Sequence, residues 1–183
     1  MRAFLAFDVA DDVTQRLLEV EQQLRATRAD VSVVSRDNLH FTVKFLGDVG
    51  NDIVGEIDQR MSGIQLQGTQ VRVDGVGAFP NQRNPRIVWA GVAPEDAPKV
   101  DALAEKILES LSGIGKPEDR RFHAHITIGR VRSPRNHEAL LSFIESNQRH
   151  DFGMTRIDKL KLKSSLLRPG GSVYSDVREY SLR

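Results

Sequence analysis

The sequence predicts an α+β fold built from two similar halves. Three observations carry this expectation. Helical patterns alternate with pairs of short strands along the chain. Each half holds one His-x-Thr on a predicted strand, His40-Phe41-Thr42 and His125-Ile126-Thr127. No linker rich in Gly, Ser or Pro and no low-complexity stretch divides the halves, so residues 1–183 are expected to form a single bilobal domain.

Residues 2–8 alternate and are rich in aromatics, as a strand should be. Asp11 and Asp12 open a helix in which Val13, Leu17, Val20 and Leu24 fall three or four apart. A short strand over 31–35 and a turn at Asp37-Asn38 precede a strand over 39–46 that stops at Gly47. A helix is expected near 51–62. Gln70–Phe79 and Arg86–Val92 read as strands joined by the Pro- and Asn-rich segment 80–85. Pro94 and Pro98 flank the start of an amphipathic helix with Val100, Leu103, Ile107, Leu108 and Leu111 on one face, ended by Gly113 and Gly115. A strand over 123–131 and a helix starting near Pro134 come next. Strands over 154–166 and 173–182, joined by Pro169-Gly170-Gly171, close the chain.

Composition narrows the function classes. With 39% apolar and 28% charged residues, the chain can bury a core and is not a disordered one. A net charge of +1 argues against a protein that coats long nucleic acid by charge alone, so a nucleic-acid substrate is expected to be gripped at an end or in a cleft. The chain has no cysteine, which excludes disulfides, thiolate nucleophiles and Cys-based metal sites. Its apolar runs are far too short to span a bilayer, and the N-terminus reaches Asp8 without a long apolar segment. A cytoplasmic protein without membrane association is expected.

The two His-x-Thr motifs carry the chemistry. Side chains alternate faces along a strand, so His40 and Thr42 point one way while Phe41 and Val43 point the other; the same holds for His125 and Thr127 against Ile126 and Ile128. One such motif is ordinarily a polar face toward solvent. Two copies in matching strands of two similar halves suggest that pseudo-symmetry brings both imidazoles into one cleft. Opening a cyclic phosphodiester requires a base to take a proton from water and an acid to protonate the leaving ribose oxygen. Histidine, with an ordinary pKa of about 6.5, can do either near neutral pH. The threonine hydroxyls can donate to the non-bridging phosphate oxygens, where charge accumulates.

Asn38-Leu39-His40-Phe41-Thr42-Val43-Lys44-Phe45-Leu46-Gly47 resembles the first signature of the two-histidine (2H) phosphoesterases, in the branch called 2′-5′ RNA ligase or RNA 2′,3′-cyclic phosphodiesterase. Arg121-Phe122-His123-Ala124-His125-Ile126-Thr127-Ile128-Gly129-Arg130 is similar to the second. The segments 79–92 and 165–174 look like the middle strand pair and C-terminal hairpin of that branch. The sequence departs at Ala124, where the family usually has proline, and at His123, where a basic residue such as arginine is expected. The resemblance implies a bilobal α+β fold with a cleft between antiparallel sheets and helices outside. It implies hydrolysis of RNA 2′,3′-cyclic phosphate ends to 2′-phosphates, with tRNA fragments as one source of such ends. It further implies weak, nucleotide-independent 2′-5′ joining, no cofactor, and the roles of general acid for His40 and general base for His125.

Other residues carry two readings each. Arg130 lies five positions after His125, so a regular strand turns it away from the cleft, and a bulge near Gly129 turns it back toward the phosphate. Lys44 shares parity with His40 and Thr42 and is expected to line the cleft for RNA; Phe45 has the parity of the core. Tyr174 and Phe45 are candidates to stack on a base, with core packing the better fit to the parity of Phe45, and Trp89 reads as structural. His123 is assigned to substrate contact; with His125 and His40 it also makes a three-nitrogen set of the kind found in catalytic zinc sites, a reading that leaves both threonines unexplained. Two further functions compete: a phosphodiesterase for 2′-5′-linked oligoadenylates or ADP-ribose cyclic phosphate, and a non-catalytic binder of RNA ends.

Overall fold

The computed structural model describes residues 1–117 and 120–183. In chain order its elements are β1 (Arg2–Asp8), α1 (Asp11–Ala26), β2 (Val31–Val33), β3 (His40–Asp48), α2 (Asn51–Ser62), β4 (Thr69–Phe79), β5 (Ile87–Val92), α3 (Ala97–Ser110), β6 (Ile126–Val131), α4 (His137–Ser146), β7 (Asp151–Ile157), β8 (Lys159–Arg168) and β9 (Gly171–Ser181). Among the described residues the strands run in the order β7-β4-β5-β6-β3-β1-β8-β9, with β2 added to β6. Every pairing is antiparallel.

Two four-stranded halves meet at one place. β3, β1, β8 and β9 form the first; β7, β4, β5 and β6 form the second. β3 and β6 pair through Phe41 and Ile126. Each of these residues directly follows a histidine of the His-x-Thr pair, so this antiparallel contact sets His40 and His125 about a local two-fold axis. Phe41 and Ile126 are fully buried. They join the apolar faces of all four helices in one core, and their burial pins the junction that positions both imidazoles.

The helices form where the apolar spacing places them. Val13, Leu17, Val20 and Leu24 of α1 are buried, as are Val100, Leu103 and Ile107 of α3. The end of the chain differs from expectation. The single strand expected over 154–166 is two strands. β7 pairs with β4 in the second half, and β8 pairs with β1 in the first. The chain crosses between halves at Asp158. Buried positions fall at Thr155 and Ile157 before the crossing and at Leu160 and Leu162 after it; this change of parity is the sequence mark of the break.

Candidate active site

Each His-x-Thr strand carries a bulge at the same place. Against β1, Thr42 pairs with Ala6 and Lys44 with Leu5, so Val43 is the extra residue. Against β5, Thr127 pairs with Trp89 and Gly129 with Val88, so Ile128 is the extra residue. Both bulges lie three residues after the histidine. A bulge reverses the facing of the residues that directly follow it. This accounts for the fate of four residues.

Lys44 does not line the cleft as its parity predicted. It is buried with 3% exposure on the core side, where its Nζ lies 3.4 Å from the carbonyl of Lys116. Phe45, expected in the core, is instead 64% exposed and faces Phe4 across the strands. In the second half, buried Gly129 takes the position of Lys44 and exposed Arg130 that of Phe45. The bulge thus turns Arg130 to the side of the histidines, and its charge acts on both imidazoles.

The two histidines sit in different surroundings. His40 rests on the ring of Phe4 at 5.0 Å, with Tyr174 edge-on to both rings. Its Nε2 is 3.1 Å from Thr42 Oγ1, and its Nδ1 is buried without a partner among the described residues. Beside it lies a square of four charges. Lys161 and Lys163 each bridge Asp8 and Asp176 at 2.6–3.2 Å. Burial pushes the His40 imidazole down to about 4; Lys163, Arg130 and His125 add to that push, and Asp8 opposes it.

His125 precedes β6. Its Nδ1 lies 2.7 Å from the carbonyl oxygen of His123. A carbonyl only accepts, so Nδ1 carries the proton and neutral His125 presents Nε2 as a lone pair. Burial lowers its pKa too, but here the carbonyl pulls the other way by favouring the cation. Phe79 packs edge-on at 4.9 Å, and His123 and Trp89 complete the surroundings at 6.0 and 6.4 Å.

Thr42 and Thr127 are half-buried, on the same strand faces as their histidines. Two hydroxyls, two imidazoles and a guanidinium therefore lie on one side of the sheet around the β3–β6 junction. Sequence reasoning missed Phe4, Asp8, Phe79, Lys161, Lys163 and Asp176. Their proximity comes from the order β3-β1-β8-β9 and from the pairing of β5 with β6, which no local spacing reveals. Among the described residues no group of three or more His, Asp or Glu side chains is placed to hold a metal ion.

One family model, described as LigT-like phosphoesterase, matches the chain twice, over residues 7–89 and again over 91–174. The two matches take one His-x-Thr strand each. The chain is a LigT-like phosphoesterase. Curated relatives called RNA 2′,3′-cyclic phosphodiesterase include one from Archaeoglobus fulgidus, 34% identical over 98% of this chain and 99% of its own length. Another, from Methanothermobacter thermautotrophicus, is 33% identical over 100% of this chain and 99% of its own. Among solved structures, TT0787 of Thermus thermophilus superposes on this phosphoesterase with a TM-score of 0.79 and 27% identity, covering 100% and 98% of the two chains. Escherichia coli LigT, complexed with 3′-AMP, shares the fold at a TM-score of 0.75 and 22% identity over 99% and 97%. The bilobal α+β fold expected from the sequence is the fold of this family.

Proposed function

We propose that this phosphoesterase hydrolyses RNA 2′,3′-cyclic phosphate ends to 2′-phosphates by acid–base catalysis at His40 and His125. The observation that carries the reading is the paired architecture: one contact, Phe41–Ile126, and two matching bulges turn both histidines, both threonines and Arg130 to one side of the sheet. The full-length likeness to RNA 2′,3′-cyclic phosphodiesterases supports the substrate class.

His125 suits the base. Its Nδ1 proton is held by a carbonyl, Nε2 is free to take a proton from water, and the carbonyl stabilises the cation that forms. His40 suits the acid. Burial and Lys163 disfavour its cation; the negative charge of an incoming phosphate favours it, so His40 takes a proton from solvent as the substrate binds and readily gives it up to O3′. Water enters opposite O3′, the arrangement that phosphoryl displacement favours. Thr42, Thr127 and Arg130 hold the non-bridging oxygens. The chain supplies every group this scheme needs, so it requires no metal or cofactor. Tyr174 and Phe45, on the His40 side, flank the nucleoside that bears the ring.

Among the described residues no helix is long and apolar enough to cross a membrane, and we place the enzyme in the cytoplasm with RNA ends, tRNA fragments included, as its partners. Incubation of a short RNA bearing a 2′,3′-cyclic phosphate, with and without EDTA, tests the reading by end-group analysis. A 2′-phosphate formed equally in both samples supports it. A 3′-phosphate reverses the polarity of ring opening. Loss with EDTA and recovery with zinc moves the chemistry to a metal at His40, His123 and His125.

A further inference from the structure

The chain is nearly neutral overall, with 26 basic and 25 acidic residues, but its charge is unevenly spread. Segments 28–32, 80–87 and 130–138 carry six arginines against two acids, Asp30 and Glu138. The fold brings these segments to one place. β2 pairs with the end of β6, Ser32 opposite Arg130 and Val31 opposite Val131. β5 joins from the other side, with Ile87 opposite Arg130. At the strand ends, the Val131 N–H donates to the Arg86 carbonyl at 2.9 Å, and the Arg132 N–H donates to the Asp30 carbonyl at 2.8 Å.

The backbone of this edge is tied down, while its guanidinium groups are not. Asn81 Oδ1 accepts from the N–H groups of Arg83 and Asn84, both at 3.0 Å. His137 Nε2 donates to the Arg83 carbonyl at 2.9 Å, and Asn136 Nδ2 donates to the Arg28 carbonyl at 3.2 Å. Arg28 and Asn136, with φ of 55° and 52°, are the two non-glycine residues in the left-handed region among the described residues. Side chains seldom adopt it, and neighbouring contacts must hold it in place. All six arginines are exposed. Among the described residues none of the six enters an ion pair, whereas Arg60, Arg72, Arg156 and Arg178 elsewhere each do. Six like charges held close together repel one another, and a row of phosphates offsets that repulsion through charge-assisted hydrogen bonds.

We infer that this arginine edge holds the phosphates of the RNA body that lies 5′ of the cyclic end. The inference rests on the function proposed above. Arg130 is the inner end of the edge: it lies on the side of the histidines, and its charge acts on both imidazoles. Arg132 follows two residues on, about 7 Å along the chain. Arg28, Arg83, Arg86 and Arg135 widen the edge beyond it. A mononucleotide cyclic phosphate carries one charge and engages Arg130 alone. An oligonucleotide carries a further charge at each linkage, and these meet the outer arginines. Phosphate contacts position a nucleic acid without reading its bases, so the edge favours long RNA ends of any sequence. A chain too nearly neutral to coat RNA thus grips it at one place.

Two substrates separate the edge from the site: adenosine 2′,3′-cyclic phosphate, and a short oligoribonucleotide that ends in it. The full-length enzyme should show the lower KM on the oligonucleotide. That KM should rise with salt with a logarithmic slope of about 2 for three phosphate contacts, and more shallowly for the mononucleotide. A triple variant, Arg86→Glu with Arg132→Glu and Arg135→Glu, is checked for folding by circular dichroism. It should raise the oligonucleotide KM about ten-fold or more, with kcat unchanged and both constants for the mononucleotide unchanged. Lysine at the same three positions should recover part of the affinity. Fluorescence anisotropy of a labelled oligoribonucleotide with a 2′-phosphate end reads the same binding without turnover, and the triple variant should weaken it by the same factor. A triple variant that leaves oligonucleotide KM and anisotropy unchanged overturns the edge, as does one that slows both substrates alike. Absence of turnover on both substrates overturns the proposed function, and the anisotropy then supports or overturns the edge by itself.

Discussion

The two halves place the same motif on the same bulged strand and then surround it differently. Around His40 lie Phe4, Tyr174 and a closed square of two lysines and two aspartates. Around His125 lie Phe79, His123, Trp89 and a backbone carbonyl that fixes its tautomer. Past the bulge, the first half shows Phe45 to the cleft and the second shows Arg130. In the proposed scheme, symmetry of the backbone sets the two imidazoles for in-line displacement, and asymmetry of the neighbours lets one imidazole serve as base and the other as acid.

Removing either histidine is expected to have the largest effect. His40→Ala and His125→Ala should each lower kcat by about 10²–10⁴-fold with the fold retained. Steady-state rates on a cyclic-phosphate RNA check this; a variant that keeps a tenth of wild-type turnover rules out the two-histidine scheme. The residues past the two bulges should then part company. Arg130→Ala is expected to cost about 10²–10³-fold in kcat, because its charge stabilises the transition state. Phe45→Ala should instead raise KM about five-fold, through lost stacking on the ring-bearing nucleoside. Equal effects of the two on kcat would mean that the strands beyond the bulges do the same work.

The pH profile sharpens the comparison further. Both imidazoles have lowered pKa values in the free enzyme, His40 to about 4. The bell of kcat/KM should therefore peak on the acid side of 6.5 and fall toward neutral pH. A bound phosphate anion favours both cations, so the bell of kcat should lie at higher pH. The limbs belong to the coupled pair rather than to either residue. A kcat/KM maximum above about pH 8 would contradict these surroundings. Asp8→Asn removes a charge that favours the His40 cation, and the acid limb should move lower by a fraction of a unit.

The smallest effect separates fold from catalysis. Glu21 of α1 is 3% exposed, and burial pushes its carboxyl up to about 8, with Arg25 opposing. Its unfolded value is 4.5. The folded state thus holds this proton more tightly, and the stability this confers is complete below pH 4.5 and lost as pH rises through 8. Glu21→Gln should raise stability at about pH 8.5 by about 2 kcal/mol, or about 4–8 °C in Tm. It should change nothing at about pH 4 and leave the kcat/KM bell in place. Thermal melts at the two pH values decide it; equal melts of variant and parent at the alkaline value would show that this carboxyl carries no such cost.

The parts of this account legible in the sequence are those set by local periodicity. The alternation around His40 and His125 showed which side chains share a face, and the spacing of Val13, Leu17, Val20 and Leu24 marked α1. Parity misplaced Lys44 and Phe45 because one extra residue, Val43, reverses the strand, and a bulge has no fixed composition. The same device at Ile128 turns Arg130 to the cleft. The charged square beside His40 was hidden for another reason. Its members come from β1, β8 and β9, and only the crossing at Asp158 brings β8 back to the first half.

The division of labour between the two histidines is tested most directly by a substrate that needs no acid. A 2′,3′-cyclic phosphate in which sulfur replaces O3′ expels a thiolate, which leaves without protonation. The account predicts that this substrate restores most of the turnover lost in His40→Ala and little of that lost in His125→Ala, since only the acid's help becomes dispensable. Equal rescue of the two variants, or rescue of His125→Ala alone, would contradict it.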